Sequence, residues 1–286
     1  MKIRKIVLSV ALTLTAATTF AGQVTSKINE THELVIGSRV SAAPFSAVIP
    51  GAEDNKHQGY SVDVCNVLAQ KYEQKYKTKI NVKYSDVTSS NRFSMLDAGN
   101  IDIECAGTSV KPEQAKIADF AVMYSDSIIA AGLKGTTIKS LDDLKNKRIA
   151  ITAGFSGEPL IREFFAKNNI EVTTTNLQSA PNYDAAFMLL KQKRVDVIVT
   201  NRSLLIGEIN KQADKQNYTL IDGAKFKEKD LLAILLPAKD KELSDFFKAE
   251  VKKMLDDGTL NKLHIKHFGS PMPTQMKKDI AEYYTK

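Results

Sequence analysis

The sequence predicts an α/β protein built as two lobes that are joined by two extended crossings. Strand-like and helix-like patterns alternate in a β-α-β-α-β order over residues 34–105, and the same order recurs over residues 148–199. Such an order favours a mostly parallel sheet with helices on its faces. Two extended apolar segments, 121–132 and 230–236, bracket the second unit. The chain is therefore predicted to cross into a second lobe and to return.

The return crossing assigns the end of the chain to the first lobe. We predict lobe 1 at residues 30–122 together with 236–286, and lobe 2 at residues 126–229. The hinge crossings are predicted near 121–132 and 230–236. At 286 residues, the chain has the length expected for two lobes of roughly 100 to 150 residues each.

The first 21 residues are predicted to be a secretory signal peptide. Lys2, Arg4 and Lys5 form a basic start, residues 6–14 are mostly apolar, and small residues follow up to Ala21. A membrane anchor is the alternative, but the apolar run is short for a hydrocarbon layer of about 30 Å. We therefore expect cleavage near Ala21 and export of a soluble chain into a bacterial periplasm.

The remaining elements follow from apolar periodicity, with 3.6-residue spacing for helices and short β-branched or alternating runs for strands. Strands are predicted at residues 34–36, 80–84, 101–105, 148–151, 172–174 and 195–199. Helices are predicted at residues 61–76, 92–96, 158–168, 183–193, 242–256 and 260–267. Gly99 and Gly258 end two of these helices, because glycine readily adopts the left-handed conformation that closes a helix.

Composition and charge exclude several classes of protein. Hydrophobic residues make up 43% of the chain and charged residues 26%, which argues against a disordered chain. The formal net charge is +7, and it falls to +4 (7 − 3) without the three basic residues of the signal peptide. Basic residues are spread among acids and form no cluster with aromatics, so no nucleic-acid partner is predicted. We expect a monomer.

Several segments of the chain together resemble a known family. They are Gly37-Ser38-Arg39 with Ala43-Pro44-Phe45-Ser46, Gly59-Tyr60-Ser61-Val62-Asp63-Val64-Cys65, the stretch from Thr88-Ser89-Ser90-Asn91-Arg92 to Ile103-Glu104-Cys105, Ser140-Leu141-Asp142-Asp143-Leu144, and Asp257-Gly258-Thr259-Leu260 with Lys266-His267-Phe268-Gly269. This set is similar to the periplasmic solute-binding proteins of amino-acid ABC transporters, family 3, and within them to the glutamate/aspartate-binding branch. The resemblance covers nearly all of the chain after residue 21.

The resemblance implies a type II periplasmic-binding-protein fold, the Venus flytrap, with a ligand in the cleft between the lobes. It implies that the closed protein delivers a small anionic, amino-acid-like solute to an ABC permease in the inner membrane. In open α/β sheets, ligands bind beyond the carboxyl ends of strands, which agrees with this placement. No cofactor and no metal are predicted, and no nucleophile motif, phosphate-binding loop or dinucleotide fingerprint indicates an enzyme.

The resemblance also implies which residues hold a ligand carboxylate. Arg39, Ser89 and Arg92 match the positions that do so in the glutamate/aspartate branch. A guanidinium binds a carboxylate through two strong, charge-assisted hydrogen bonds. Two surface arginines that pair with local acids are the alternative.

The chain departs from the family where the amino-acid head group binds. Gln114 stands where the family has an arginine for the α-carboxylate, and Asn201 stands where it has an aspartate for the α-ammonium. Thr108 and Ser109 are the small polar residues just before Gln114. Because both charges of the zwitterion lose a partner, an anion that lacks or masks the α-amine is expected to fit better than an ordinary amino acid.

Three further residues are expected at the ligand. Ser156, in the loop before a lobe 2 helix, is expected to receive an anionic group at the helix N-terminus, with simple capping as the alternative. Tyr183 matches a histidine of the branch and is expected to cover the ligand, and Phe45 is expected to wall the cleft. Core or surface roles remain the alternatives for both aromatic residues.

Cys65 and Cys105 are predicted to form a disulfide. They fall on a helix face and at a strand end that are expected to pack together, and an exported chain meets an oxidising compartment. Two buried thiols are the alternative.

Two other functions use the same scaffold. The family includes cyclohexadienyl dehydratases, and an enzyme of that kind needs an acid in the cleft, such as Glu158 or Glu104, with a raised pKa. A binding module for a chemoreceptor keeps the same cleft and is not distinguished by sequence.

Overall fold

The computed structural model describes residues 22–52 and 56–285. The predicted signal peptide, residues 1–21, lies outside the described residues. Within those two ranges, no helix is both long enough and apolar enough to cross a membrane.

The described part of the chain alternates between strands and helices. The helices are α1 (Gln23–Thr31), α2 (Tyr60–Tyr76), α3 (Arg92–Asp97), α4 (Glu158–Lys167), α5 (Tyr183–Lys191), α6 (Arg202–Lys211), α7 (Lys241–Asp256), α8 (Thr259–Phe268) and α9 (Thr274–Tyr283). The strands are β1 (Glu33–Arg39), β2 (Ser41–Ala42), β3 (Ser46–Val48), β4 (His57–Gln58), β5 (Asn81–Val87), β6 (Ile103–Ser109), β7 (Ala118–Leu133), β8 (Ile149–Thr152), β9 (Leu177–Ala180), β10 (Val197–Asn201) and β11 (Tyr218–Pro237).

Two long strands connect the halves of the molecule. Among the described residues, eight strands form one sheet in the order β5-β1-β6-β11-β7-β10-β8-β9, and β2, β3 and β4 form a small second sheet. Strands β7 and β11 pair antiparallel, from Tyr218 with Leu133 at one end to Pro237 with Ala118 at the other. The outer pairs β1–β5, β1–β6, β8–β10 and β8–β9 are parallel. The predicted two-lobed α/β architecture is confirmed, with β7 and β11 as the crossings.

Each half of the sheet has its own apolar core. The first core combines residues from both ends of the described chain, such as Ile36 and Ile103 with Phe247 and Ile280. In the other half, neighbouring strand residues point to opposite faces, as the two-residue period of a strand requires. There, Ile149 and Val197 enter a second core, and Ala150 and Ile198 enter a third. The exact lobe limits stay a prediction.

The predicted disulfide is present. Cys65 on α2 and Cys105 on β6 are bonded, with 6.4 Å between their Cα atoms, and both are fully buried. The bond fixes α2 to the strand that carries several residues of the site described below.

One predicted strand is wrong. Residues 172–174 are not a strand, and the sheet continues at β9, residues 177–180. The backbone N–H of Thr173 donates to the Asn176 side chain over 2.8 Å, and the Asn176 N–H donates back to the Thr173 hydroxyl over 3.3 Å. These local bonds favour a turn over a strand, despite the β propensity of three threonines in a row.

Other elements were not predicted, namely α1, the small β2–β3–β4 sheet, α6, α9 and the first half of β11. Helix α6 follows β10 without a loop and contains Gly207, which lowers its intrinsic helix propensity. A Cβ at Gly207 would come within 2.1 Å of the Ala43 carbonyl oxygen, so the glycine allows α6 to approach the other lobe.

Candidate functional site

The candidate site forms where strand ends of lobe 1 face lobe 2. Arg39 is the last residue of β1, Ser89 follows β5, and Arg92 begins α3. Because β1 and β5 are parallel, their carboxyl ends meet at the same edge of the sheet. The loop that precedes α4 approaches this edge from lobe 2, and a Cβ on its Gly154 would lie 2.5 Å from the Ser89 carbonyl oxygen.

The Arg39 side chain is held by lobe 1 alone. Its Nη1 donates to the Ser89 hydroxyl over 3.2 Å, and its Nη2 donates to the Ala106 carbonyl oxygen. The residue is 7% exposed. Its Nε is buried and has no hydrogen-bond partner among the described residues.

The Arg92 side chain connects the two lobes. It donates to the Ser89 carbonyl oxygen within lobe 1, and across the cleft to the Ser156 hydroxyl over 3.1 Å and the Gly154 carbonyl oxygen over 3.5 Å. The residue is 3% exposed. Burial lowers the pKa of Arg92 to about 10, with Glu104 opposing that shift and Arg39 adding to it. The guanidinium is therefore still charged at neutral pH.

A buried acid stands behind the two arginines. Glu104 on β6 is fully buried and accepts a hydrogen bond from the Thr108 hydroxyl over 2.9 Å. Burial raises the pKa of Glu104, and the charges of Arg92 and Arg39 oppose that rise. Glu104 is not among the residues that line the cavity, so it acts on the site through the local charge rather than by contact.

A second acid lies at the other side of the cavity. Asp230 on β11 is 1% exposed, and its Oδ2 accepts hydrogen bonds from the Ser109 hydroxyl over 2.7 Å and from the Asn201 amide over 2.8 Å. Its Oδ1 accepts from Lys227 Nζ over 2.7 Å. Ser109 belongs to lobe 1 and Asn201 to lobe 2, so this carboxylate also contacts both lobes.

Lobe 2 contributes the cover of the site. Tyr183, the first residue of α5, is buried, and its hydroxyl lies 3.2 Å from the Thr200 hydroxyl. Tyr183 and Leu204 belong to lobe 2 by sequence but pack into the first core. The lobes are thus in direct contact around the cavity.

The cavity between the lobes has a volume of about 20 Å³, which is close to the space of one water molecule. It is lined by Arg39, Ser89, Arg92, Gly107, Thr108, Ser109, Phe155, Ser156, Tyr183, Asn201 and Leu204. The lobes must therefore separate before a solute of amino-acid size can occupy the cleft.

The structure brings together most of the candidate residues. Eight of the ten line this cavity, namely Arg39, Ser89, Arg92, Thr108, Ser109, Ser156, Tyr183 and Asn201. Phe45 does not line it, because its ring is fully buried under Gly107 and packs edge-on against Tyr124 at 5.1 Å between ring centroids. Gln114 is also absent from the lining and lies half-buried in a single 3₁₀ turn.

Sequence reasoning missed Leu204 and Asp230. Leu204 lies on the unpredicted helix α6. For Asp230 a signal was present, since it is an acid at the start of the apolar run 230–236. Within the described residues, no group of three or more His, Cys, Asp or Glu side chains is placed to hold a metal ion.

Comparison with known families gives a match over most of the chain. A sequence model of the bacterial extracellular solute-binding proteins, family 3, matches residues 34–270. This range includes every residue that lines the cavity.

Comparison with individual proteins finds the same kind of molecule. The chain is 29% identical over 253 residues to the L-glutamate/L-aspartate-binding protein of Pseudomonas aeruginosa, covering 86% of this chain and 80% of that protein. It is 28% identical over 261 residues to the glutamate/aspartate import solute-binding protein of Escherichia coli, covering 88% and 82%. A crystal structure of an ABC uptake transporter substrate-binding protein from Streptococcus pneumoniae with bound histidine superposes with a TM-score of 0.73, at 20% identity over 87% of this chain and 97% of that one.

Proposed function

This chain belongs to the bacterial extracellular solute-binding proteins of family 3, and we propose that it captures a small anionic, amino-acid-like solute between its lobes. Two ligand classes fit the proposal. One is an acidic amino acid of the glutamate or aspartate kind, and the other is a carboxylate that lacks a free α-amine.

One observation carries this proposal. Arg39 and Arg92 are both nearly fully buried at one small cavity, and the Nε of each has no hydrogen-bond partner among the described residues. Two buried guanidinium groups repel each other and lose hydration, which is costly unless an anion lies near them. Glu104 offsets part of this charge, but burial opposes its ionisation. A ligand carboxylate bound in the cleft would offset the rest.

The head-group substitutions keep the two ligand classes open. Asn201 lines the cavity as a neutral residue, and Gln114 does not line it. Neutral amides still form hydrogen bonds, but each lacks the charge-assisted share, which is worth roughly 1 to 2 kcal/mol. The names of the two glutamate/aspartate-binding relatives favour the acidic amino acid.

The partner that follows from this function is an ABC permease in the inner membrane. The protein is proposed to work as a monomer in the periplasm and to present the closed form of its two lobes to that permease. Delivery of the same closed form to a chemoreceptor is the alternative use of the cleft.

A thermal-shift panel tests the proposal. Glutamate, aspartate, glutarate and succinate are each added to the purified protein, alongside glutamine, arginine and a neutral sugar. We expect an increase of the melting temperature with at least one of the anions, since a ligand that binds the folded state stabilises it by mass action. A larger increase with arginine or with the sugar than with every anion would overturn the proposal.

The enzymatic alternative has its own test. It requires an acid that touches the substrate, and Glu104 is buried under Thr108 outside the cavity lining. Incubation with prephenate or arogenate is expected to leave both compounds unchanged. Consumption of either compound by the purified protein, lost in the Glu104→Gln variant, would establish the enzyme instead.

A further inference from the structure

The acid on the returning crossing is unusual in its placement. Asp230 is the only charged residue within the run 230–236, and it is 1% exposed. Its Oδ2 accepts from two neutral donors, the Ser109 hydroxyl and the Asn201 amide, and both donors line the cavity. The carboxylate therefore lies immediately behind the cavity wall.

The two oxygens of Asp230 have different surroundings. Oδ1 is paired with Lys227, whose side chain is 41% exposed and so extends toward solvent. Oδ2 faces the uncharged Ser109 and Asn201 side chains. A carboxylate has about four lone-pair positions, and three hydrogen bonds are formed here. Oδ2 already accepts two of these bonds, so the open position is on Oδ1, and a donor that reaches Oδ2 from the cavity takes the place of Ser109 or Asn201.

The cavity is thus lined by cations at one side and backed by an acid at the other. Arg39, Ser89 and Arg92 form the cationic side, and Ser109 and Asn201 with Asp230 behind them form the acidic side. A ligand with a carboxylate at one end and an ammonium at the other matches this arrangement. A dicarboxylate has no ammonium. It would place either its second carboxylate or an uncharged group at the acidic side, and neither pairs with Asp230.

We propose that Asp230 is a specificity-determining residue: when a solute separates the lobes, its ammonium takes the place of the Asn201 amide at Asp230 Oδ2, with Ser109 and Asn201 beside it. The inference rests on the proposed function and narrows it, because it selects acidic amino acids with a free α-amine over dicarboxylates. Asp230 then supplies the negative charge that the neutral Asn201 does not.

The test compares two ligands that differ in the amine. Glutamate and glutarate share both carboxylates, and calorimetric titration measures each against wild type and the Asp230→Asn variant. In wild type we expect glutamate to bind more tightly than glutarate. In the variant we expect glutamate affinity to fall roughly 10- to 100-fold, the range of a charged hydrogen bond, with little change for glutarate.

A matched variant separates this role from a structural one. Lys227→Met removes the partner of Oδ1 and leaves the carboxylate in place, so the preference for glutamate is expected to be kept or increased. If Asp230→Asn weakens both ligands equally, or if Lys227→Met has the same effect as Asp230→Asn, Asp230 only holds the hinge and the inference is overturned.

Wild-type binding distinguishes the inference from the function on which it rests. If wild type binds glutarate at least as well as glutamate, the proposed function stands and the inference fails. If wild type binds neither these two ligands nor aspartate and succinate, the proposed function fails and the inference fails with it.

Discussion

At the scale of the residue, the paired arginines have the largest expected effect on binding. Of the two arginines, Arg92 is the one that forms hydrogen bonds to both lobes, through Ser89 on one side and Ser156 with Gly154 on the other. Its charge also opposes the rise in the pKa of Glu104. Loss of Arg92 therefore removes a proposed ligand contact and a lobe-to-lobe contact together.

We predict that Arg92→Ala abolishes the thermal shift caused by the anionic ligand. The lost charge-assisted pair is worth roughly 2 to 3 kcal/mol, or about a 100-fold weaker affinity. The measurement is the melting temperature with and without ligand. Arg194→Ala, which removes an exposed arginine of lobe 2, is the control and should keep the full shift. A full shift in Arg92→Ala would place Arg92 outside the site.

A second residue-scale prediction concerns the acid opposite Asp230 on the other crossing. Burial raises the pKa of Asp126 to about 6 from 3.8, while N–H donors of Ser203 and Ser127 oppose the rise and the charge of Asp230 adds to it. Because the folded state binds this proton more tightly than the unfolded state, the contribution of Asp126 to stability falls as pH rises from about 4 to about 6.

Asp126→Asn removes the charge and keeps one of the two side-chain acceptors that bind the Ser127 and Ser203 N–H groups. We expect the variant to lose this part of the pH dependence, while its stability at pH 7 combines the removal of the charge with the loss of one acceptor for the Ser127 and Ser203 N–H groups. Urea unfolding at a series of pH values measures both. A variant that keeps the wild-type slope between pH 4 and 6 would show that Asp126 is charged throughout.

The residues of the site were predictable to different extents. Arg39, Ser89 and Arg92 lie in segments that carry the family resemblance, and the structure places all three at the cavity. The contacts of Asp230 join positions 121 and 29 residues away in sequence, Ser109 and Asn201. A local sequence pattern does not indicate contacts between residues so far apart. The proposed role of Asp230 could therefore be inferred only from the folded structure.

At the scale of the element, the disulfide joins α2 to β6 under the site. It closes a loop with a sequence separation of 40 residues, which corresponds to roughly 4 kcal/mol in the chain-entropy account. Both cysteines belong to the apolar core of lobe 1 and neither lines the cavity.

We therefore predict that the double variant Cys65→Ala/Cys105→Ala unfolds at a lower temperature and still binds the ligand. With roughly 4 kcal/mol lost, a decrease of the order of 10 °C is expected for a chain of this size. Thermal unfolding and calorimetric titration test the two halves of the prediction. Unchanged stability would mean that the bond constrains the unfolded chain much less than its loop length implies.

Elements with a strong local pattern were predictable, and those held by distant contacts were not. The periodic helices at 61–76 and 242–256 agree with α2 and α7 within a residue. The strand predicted at 172–174 is wrong because the side chains of Thr173 and Asn176 each accept a hydrogen bond from the other's backbone N–H, which makes a turn. Helix α6 was missed because Gly207 lowers its helix propensity. The same glycine has no side chain, which lets α6 lie against Ala43 of the other lobe.

At the scale of the whole molecule, the proposed capture of a solute depends on how closely the lobes approach. Gly154 has a φ of +74°, and a Cβ there would meet the Ser89 carbonyl oxygen at 2.5 Å. Gly99 has nearly the same φ, +72°, with nothing within 4 Å of its Cβ position. The two glycines share a left-handed backbone conformation and differ in the contact between lobes.

This pair gives a controlled test of closure. Alanine at either position is expected to cost about 1 to 2 kcal/mol of stability, because both adopt the left-handed conformation. We predict that Gly154→Ala also weakens binding of every ligand about tenfold or more, because the lobes no longer close fully, whereas Gly99→Ala leaves affinity unchanged. Calorimetric titration decides, and equal affinities in the two variants would contradict the role given to Gly154.

The two lobes and their two crossings were predictable from the repeated β-α-β order and the bracketing apolar segments. Their relative position was not, because it depends on side chains that meet only in the folded state, such as Arg92 with Ser156 and Tyr183 with the first core. The cavity exists only through that approach, and sequence patterns describe each lobe separately.

The most direct test of the central claim is a crystal structure of the protein with the tighter-binding of glutamate and glutarate in the cleft. The account predicts one ligand carboxylate within about 3 Å of nitrogen atoms of both Arg39 and Arg92, with the lobes closed over it. A ligand bound elsewhere, or bound in the cleft with its carboxylates away from both guanidinium groups, would contradict the account.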